Sequence, residues 1–343
     1  MRVLVTGGAG YIGSHTCVEL LGADHSVAVL DDLSNASERA LARVGEITGH
    51  QVELFVGSVL DRPFVDGVFA AKTFDAVIHF AGLKSINESL SNPLEYFQTN
   101  VTGTLNLLSA MKRASVKNLV FSSTAAVYGE PQILPISEKS RTVPTNPYGE
   151  SKLMVERLLS ILHNRDPDWR VAVLRYFNPV GAHPSGLIGE DPRNTPSNLL
   201  PICIDAAIGA RNVLPIFGVD YPTPDGTGVR DFIHVMDLAS GHLHALSYLM
   251  DRSSGIFSTF NLGTGKGVSV RQMIDALEEA SQVKLPVRLF PRRDGDVAAC
   301  YADVSSAREV LGWEAQRGVD EMCRDAWRWR IMNPSGYEKR RPL

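Results

Sequence analysis

The sequence predicts an α/β fold, a doubly wound parallel sheet with a smaller C-terminal substrate-binding domain, and three observations carry that expectation. Short β-branched or aliphatic runs alternate with helix-period segments through the first half. A glycine-rich turn follows the first run, and after Asn178 the composition shifts to prolines and glycines. Strands alternating with helices require right-handed crossovers, which place helices on both faces of a parallel sheet.

Taken in order, the strand candidates are Val3 to Val5, Val27 to Leu30, Val52 to Val56, Ala76 to Phe80, Leu119 to Phe121 and Val171 to Leu174. Near-continuous apolar runs of this length suit strands buried on both faces. Eight prolines between 179 and 224 mark a loop-rich region for substrate. Asp237 to Met250 then reads as a helix, and Ser258 to Leu262 as a strand returning to the large sheet. The expected division is a dinucleotide-binding domain at 1–177 joined by 231–265, with 178–230 and 266–343 forming the second domain. The polar, proline-bearing tail beyond Met332 is expected to fray.

The 343 residues suffice for a large core, and 44% apolar with 21% charged residues is ordinary for a folded enzyme. A net charge of −4 leaves no general basic field for nucleic acid, so the expected anion is small. Cys17, Cys203, Cys300 and Cys323 lack C-x-x-C spacing, which argues against a disulfide scaffold or a zinc site, and no metal is expected. Reduced thiols, a strand-like start in place of a signal peptide and no membrane-length apolar run make a cytoplasmic protein the expectation.

Gly7, Gly10 and Gly13 follow the first strand and open a helix. Gly7 permits the tight turn, Gly10 lets backbone approach a pyrophosphate, and Gly13 lets the helix pack close to the sheet, which makes the sheet Rossmann-type. The helix start adds its dipole and free N–H groups. The second strand ends in Asp31-Asp32, where a carboxylate takes ribose hydroxyls and repels a 2′-phosphate, favouring NAD over NADP. Asp31 could instead cap a helix, and Asp32 is the stronger cap candidate. Ser58 and Val59 fall where the adenine would lie. Phe80, Ala81, Gly82 and Lys84 belong to a small-residue turn beneath the phosphates. Asn100 reads equally as a turn amide or as a support for catalysis.

Tyr148 and Lys152 stand four apart behind Pro147, on one face of a helix. Using a phenol as a base near pH 7 means stabilising its phenolate by roughly 4 kcal/mol, and an ammonium and a nicotinamide's positive charge both act that way. Upstream, the run from Phe121 through Ser122, Ser123 and Thr124 ends a strand in hydroxyls, one of which can share a proton with Tyr148.

With these motifs the sequence resembles the extended short-chain dehydrogenase/reductase family, and within it the UDP-galactose 4-epimerases, over nearly its whole length. The resemblance rests on Val3 to Gly13, Phe80 to Lys84, Ser122 to Gly129, Tyr148 to Lys152, Arg175 to Gly181, Asp225 to Asp231 and Arg292 to Asp296. It implies that Tyr148 removes the proton from the 4-hydroxyl of a UDP-hexose while hydride passes from C4 to a tightly held NAD. The 4-ketose turns over, and hydride returns to the opposite face.

Thr124 takes the catalytic hydroxyl place when counted from Tyr128, whereas counting from Tyr148 leaves Ser123 a rival. The resemblance adds Tyr11, Ile12, Asn35, Thr99 and Phe177 to the cofactor contacts. It assigns Lys84, Asn178, Asn198 and Leu199 to sugar and phosphates, Ile216 and Phe217 to the uracil, Arg230 and Arg293 to the diphosphate, and Asp296 to the uridine ribose. Cys300, with Tyr301 as rival, lines the C2 side of the sugar, where a thiol leaves room for an acetamido group. Two positions depart from the family pattern: Ser58 stands where aspartate is frequent, and Thr99 where asparagine is. A homodimer is expected from the family and from the prevalence of two-fold pairs.

Two other readings compete. A nucleotide-sugar dehydratase or decarboxylase on the same scaffold would place an acid pair after the catalytic hydroxyl, and here those positions are Ala125 and Ala126. A non-catalytic NAD sensor would have little use for an assembled Tyr148, Lys152 and Thr124.

Overall fold

The computed structural model describes residues 1–192, 198–293 and 296–337. Each of the six expected runs forms a strand: β1 (Arg2–Thr6), β2 (Ser26–Asp31), β3 (Glu53–Val56), β4 (Ala76–His79), β5 (Asn118–Thr124) and β6 (Arg170–Tyr176). Short strands β7 (Asn178–Val180), β8 (Leu214–Phe217), β9 (Val229–Arg230) and β10 (Phe232–His234) follow. After them come β11 (Ile256–Leu262), β12 (Val268–Ser269), β13 (Val287–Phe290) and β14 (Ala299–Cys300).

One seven-stranded parallel sheet carries the order β11-β6-β5-β4-β1-β2-β3, a Rossmann-type arrangement with β11 added beside β6. The order reverses between β1 and β4, so a crevice opens beyond the carboxyl ends of those two strands, where ligands of open α/β sheets bind.

Successive side chains leave a strand on opposite faces. Val3, Val5, Val120 and Leu174 pack on one face, Leu4, Leu119, Phe121 and Val173 on the other. The first face is covered by α1 (Tyr11–Gly22) and α2 (Glu38–Thr48), the second by α3 (Arg62–Ala71). Short α4 (Ile86–Ser91) and α5 (Pro93–Phe97) lead through a π-turn at Gln98–Thr102 into α6 (Gly103–Arg113), which with α7 (Pro147–Arg165) completes the second face. Because both faces are buried around β1, β4, β5 and β6, those strands read as apolar runs, whereas the edge strand β3 is only half-buried and carries Glu53.

Helix α2 corrects the cap assignment at the end of β2. Its N-cap is Ser37, whose side chain accepts from Arg39 N, while the exposed Asp32 closes a local turn by accepting from Ser34 N at 3.0 Å.

The later half holds α8 (Leu199–Ala207), α9 (Val235–Met250), α10 (Val270–Ser281), α11 (Ser305–Leu311) and α12 (Val319–Met332). Helix α9 packs on the large sheet beside α1, whereas α8, α10 and α12 share a separate core through Leu200, Cys203, Met273, Leu277, Met322 and Cys323. The chain just beyond α12 does not fray as expected. Tyr337 is buried with its ring 4.8 Å from that of Trp329, its N–H donates to Asp191, and Asn333 donates to Gly186 O at 2.8 Å. Aromatic packing outweighs the local polarity there; residues 338–343 lie outside the described set. Among the described residues no helix is long and apolar enough to cross a membrane.

Candidate active site

At the strand-order reversal the glycine turn is held by sterics. Gly7 has φ +71°, and a Cβ there would stand 2.7 Å from Ala81 N; one on Gly13 would stand 2.3 Å from Gly7 O. Larger residues would push β1, β4 and α1 apart. Gly10 is the N-cap of α1 and makes no side-chain cap, so the helix start offers its N–H groups and positive dipole end to an anion. Tyr11 donates its phenol to Gly181 O at 2.7 Å and Ile12 packs against the core, which commits both side chains to structure and leaves their backbone for a phosphate.

The Asp31 carboxylate, only 7% exposed, accepts from Ala9 N at 3.0 Å and Leu33 N at 2.9 Å, tying the glycine turn to the loop that carries Asn35. Ser58 Oγ accepts from Leu60 N at 3.3 Å, and Val59 is buried behind it. After β4, Phe80 N and Ala81 N both donate to Thr6 O. The Asn100 amide bridges this turn to α7: it accepts from Leu83 N at 2.8 Å and donates to Leu83 O and to Ser151 Oγ at 2.8 Å. Its neighbour Thr99 is half-buried in the π-turn; Gly82 and Lys84 flank Leu83.

Pro147 starts α7, and Asn146 caps it by accepting from Gly149 N at 2.8 Å. That cap sets the rotation that turns Tyr148 and Lys152 inward. Lys152, 5% exposed, donates to Ser122 O at 3.0 Å with its ammonium 5.1 Å from the Phe121 ring centre. Burial lowers its pKa to about 8. Burial raises the pKa of the Tyr148 phenol, and the Thr124 hydroxyl opposes the rise. Without a cofactor's charge, then, the phenol is not lowered as the sequence reading expected, because desolvation dominates.

Ser123, the rival hydroxyl, points the other way and donates to Glu156, two turns beyond Tyr148 on α7. Glu156 also receives Arg175 through Nε at 3.0 Å and Nη2 at 2.6 Å, and Arg175 reaches the Tyr128 hydroxyl at 3.0 Å. Tyr128 in turn donates to Asn261 on β11. This buried network and the chain from Thr6 through His79 to Thr104 were not read from the sequence. Their only signal is polar residues inside apolar runs.

Across the crevice, Phe177 is buried and Asn178 donates through both its N–H and its amide to Asp231 O. Asn198 precedes α8, which Leu199 opens, and Asn198 donates to Glu190 at 3.2 Å; Lys84 reaches the same carboxylate oxygen at 3.3 Å. On β8 the Ile216 side chain is 2% exposed and faces the core, so what it presents to a ligand is backbone. Phe217 faces outward beneath the Arg293 guanidinium, 4.7 Å from the ring centre.

Asp296 accepts from Arg293 at 2.9 Å and lies 4.0 Å from Arg230, so two cations surround one carboxylate. Asp294 and Gly295, the middle of that motif, lie outside the described residues. Cys300 pairs in register with Arg230 and packs into the cluster of Val127, Ile136 and Phe177, while Tyr301 turns to the opposite side beside Gly267.

The chain matches the model of the NAD dependent epimerase/dehydratase family over residues 3–263. It is 53% identical over 338 residues to the UDP-glucose 4-epimerase of Bacillus subtilis, covering 98% of this chain and 99% of that one. The UDP-glucose 4-epimerase of Bifidobacterium longum, crystallised in complex with NAD+ and UDP, is similar with a TM-score of 0.93 and 48% identity, covering 98% of this chain and all of that one. The UDP-Glc/GlcNAc 4-epimerase of Campylobacter jejuni is similar with a TM-score of 0.85 and 39% identity, over 96% and 99% of the two chains.

Proposed function

The chain belongs to the NAD dependent epimerase/dehydratase family, and from that premise we propose that it is an NAD-dependent UDP-glucose 4-epimerase. The observation that carries the reading is the placement of Tyr148 and the buried Lys152 on the first turns of α7, with Lys152 anchored to Ser122 O at the end of β5 where Thr124 stands, beside the strand-reversal crevice. Ala125 and Ala126 follow Thr124 and cannot move a proton, which counts against a dehydratase.

The residues fit NAD. Gly7 and Gly13 keep a crowded turn open, α1 begins without a side-chain cap, and Asp31 supplies the carboxylate for an unphosphorylated ribose. When bound, NAD supplies a reversible hydride acceptor and a positive charge near Tyr148. Tyr148 as phenolate takes the proton of the hexose 4-hydroxyl, and the Thr124 hydroxyl steadies the same oxygen. Lys152 places its ammonium to favour the phenolate. Asp296, Arg230, Arg293 and Phe217 hold the uridine diphosphate while the 4-keto sugar turns to present its other face. Tyr148 then returns the proton, so C4 is inverted with no net redox change. Lys84, Asn178, Asn198 and Leu199 face the hexose and phosphates.

The sheet topology supports dividing the chain into 1–177 with 231–265 for the cofactor, and 178–230 with 266–343 for the UDP-sugar. Exposed Leu90 on α4, Leu94 on α5, and Met154 and Ile161 on α7 support a homodimer built on those helices. Four free cysteines suit the reducing cytoplasm. Incubating the purified protein with UDP-galactose and resolving the products tests the reading: UDP-glucose should appear without added reductant. A 4-keto-6-deoxy product would turn the assignment to dehydration.

A further inference from the structure

Two side chains expected to face substrate, Lys84 from the loop after β4 and Asn198 ahead of α8, converge on one carboxylate. Lys84 Nζ lies 3.3 Å and Asn198 Nδ2 lies 3.2 Å from the same Glu190 oxygen. Both are donors, and the expected ligand is itself an anion rich in acceptor oxygens. The Glu190 side chain is 11% exposed while Lys84 is 53% exposed, so the acceptor is fixed in the wall and the cation reaches in from the cleft. Behind Glu190 lies a cavity of about 230 Å³, lined also by Gly181, Leu200, Ile204, Trp329 and Arg330. Among the described residues, the buried Arg330 Nε has no hydrogen-bond partner. A displaced carboxylate therefore has room to withdraw into the cavity, whose wall also holds Asp205 paired with Arg330 at 3.6 Å.

We propose that Glu190 is an internal stand-in for the substrate's oxygens, holding Lys84 and Asn198 in the free site and competing with the UDP-sugar for them. This rests on the reading of Lys84 and Asn198 as substrate contacts. Binding must break the Lys84–Glu190 pair, and a part-exposed pair of this kind is worth roughly 0.2–1 kcal/mol. The carboxylate thus tunes affinity modestly and keeps the donors ordered for the incoming ligand. Release becomes easier too, since the donors regain a partner as product leaves.

Calorimetric titration of UDP-glucose onto the NAD-loaded protein, its Glu190→Gln and Lys84→Met variants and the double variant tests this. Glu190→Gln keeps the shape and removes the charge, and it should tighten the apparent Kd by roughly two- to fivefold. General structural damage would not improve binding. Lys84→Met should weaken binding, and in its background Glu190→Gln should gain less. If Lys84→Met weakens binding while Glu190→Gln leaves Kd unchanged or weaker, the stand-in role is overturned and the contact reading stands. If Lys84→Met binds as tightly as the parent, the contact reading fails and the proposal with it.

Discussion

Ser123 and Thr124 are adjacent on β5, yet their hydroxyls serve opposite sides of the strand: Ser123 donates to the buried Glu156, and Thr124 accepts from Ala126 N on the side where it lowers the Tyr148 phenol's pKa. The alternation of a strand's side chains thereby separates two residues that counting along the chain could not. Thr124→Val should lower kcat by about 10²-fold or more, the usual range for a positioned proton-sharing group. Ser123→Ala should instead cost about 1–3 kcal/mol of stability by depriving Glu156 of a donor, with little change in kcat. Steady-state rates and urea midpoints of both variants decide it, and a larger kcat loss in Ser123→Ala would exchange the two roles.

Tyr148→Phe keeps the ring that lies edge-on to Tyr96, at 6.5 Å between centres, and deletes only the hydroxyl. Bound NAD should be retained while turnover falls by about 10²–10⁴-fold. A variant keeping more than about a tenth of the parental rate removes Tyr148 from the acid–base role.

Lys152 predicts a pH signature in the NAD-free protein. Its pKa lies at about 8, against about 10.4 for an unfolded lysine, because burial disfavours the ammonium. Between those values the unfolded chain binds more protons than the folded one, so stability from this group rises with pH. The penalty, about 3 kcal/mol, is fully present below pH 8 and is relieved as pH rises to about 10.4. The stability difference between Lys152→Met and the parent should therefore shrink by about that amount across the window. Denaturant midpoints measured at pH 7 and pH 10 show it; a constant difference means that Lys152 titrates normally. In the NAD-loaded enzyme the same variant should move the rising limb of kcat to higher pH, since the phenolate loses a nearby cation.

The large sheet was legible because its central strands bury both faces, which writes Val3 to Val5 or Val171 to Leu174 as unbroken apolar runs. The glycine turn was legible because sterics leave Gly7 and Gly13 no alternative. What was not legible depends on contacts between distant segments. Glu156 reads locally as one more helix glutamate, and only β6 brings Arg175 against it. Ser37 caps α2 in place of Asp32 because the loop after β2 runs five residues further than a simple strand-to-helix turn. Tyr337 escapes the expectation of fraying through Trp329, eight residues earlier and on a helix.

Asp31 organises the loop and is the residue expected to discriminate between the cofactors. Asp31→Ala would untie Ala9 and Leu33 as well, so the cleaner change is Asp31→Asn, which keeps an acceptor and removes the charge that repels a 2′-phosphate. Preference for NAD over NADP should narrow by about an order of magnitude, the effect of one close charge pair at roughly 1–2 kcal/mol. Competitive reloading of apoprotein with the two cofactors reads this, and an unchanged ratio would reduce Asp31 to a loop anchor.

Substrate range is expected to turn on Cys300. In parallel register with Arg230 on β9, it packs with Val127 and Phe177 toward the site, whereas Tyr301 lies beside Gly267, so the loop count that left Tyr301 a rival is separated by strand alternation. Burial raises the Cys300 thiol to about 11, and at neutral pH it is a small uncharged wall. A thiol there leaves several atoms more space than a phenol would. The enzyme should accordingly interconvert UDP-GlcNAc and UDP-GalNAc as well as UDP-glucose and UDP-galactose. Cys300→Tyr should lower kcat/KM for the acetamido sugars by roughly tenfold or more while sparing the plain hexoses, because overpacking of about 1–3 kcal/mol falls on the larger ligand alone. Tyr301→Phe should leave both reactions alike. Parental protein inert toward UDP-GlcNAc, under conditions where UDP-galactose turns over, would sink the idea.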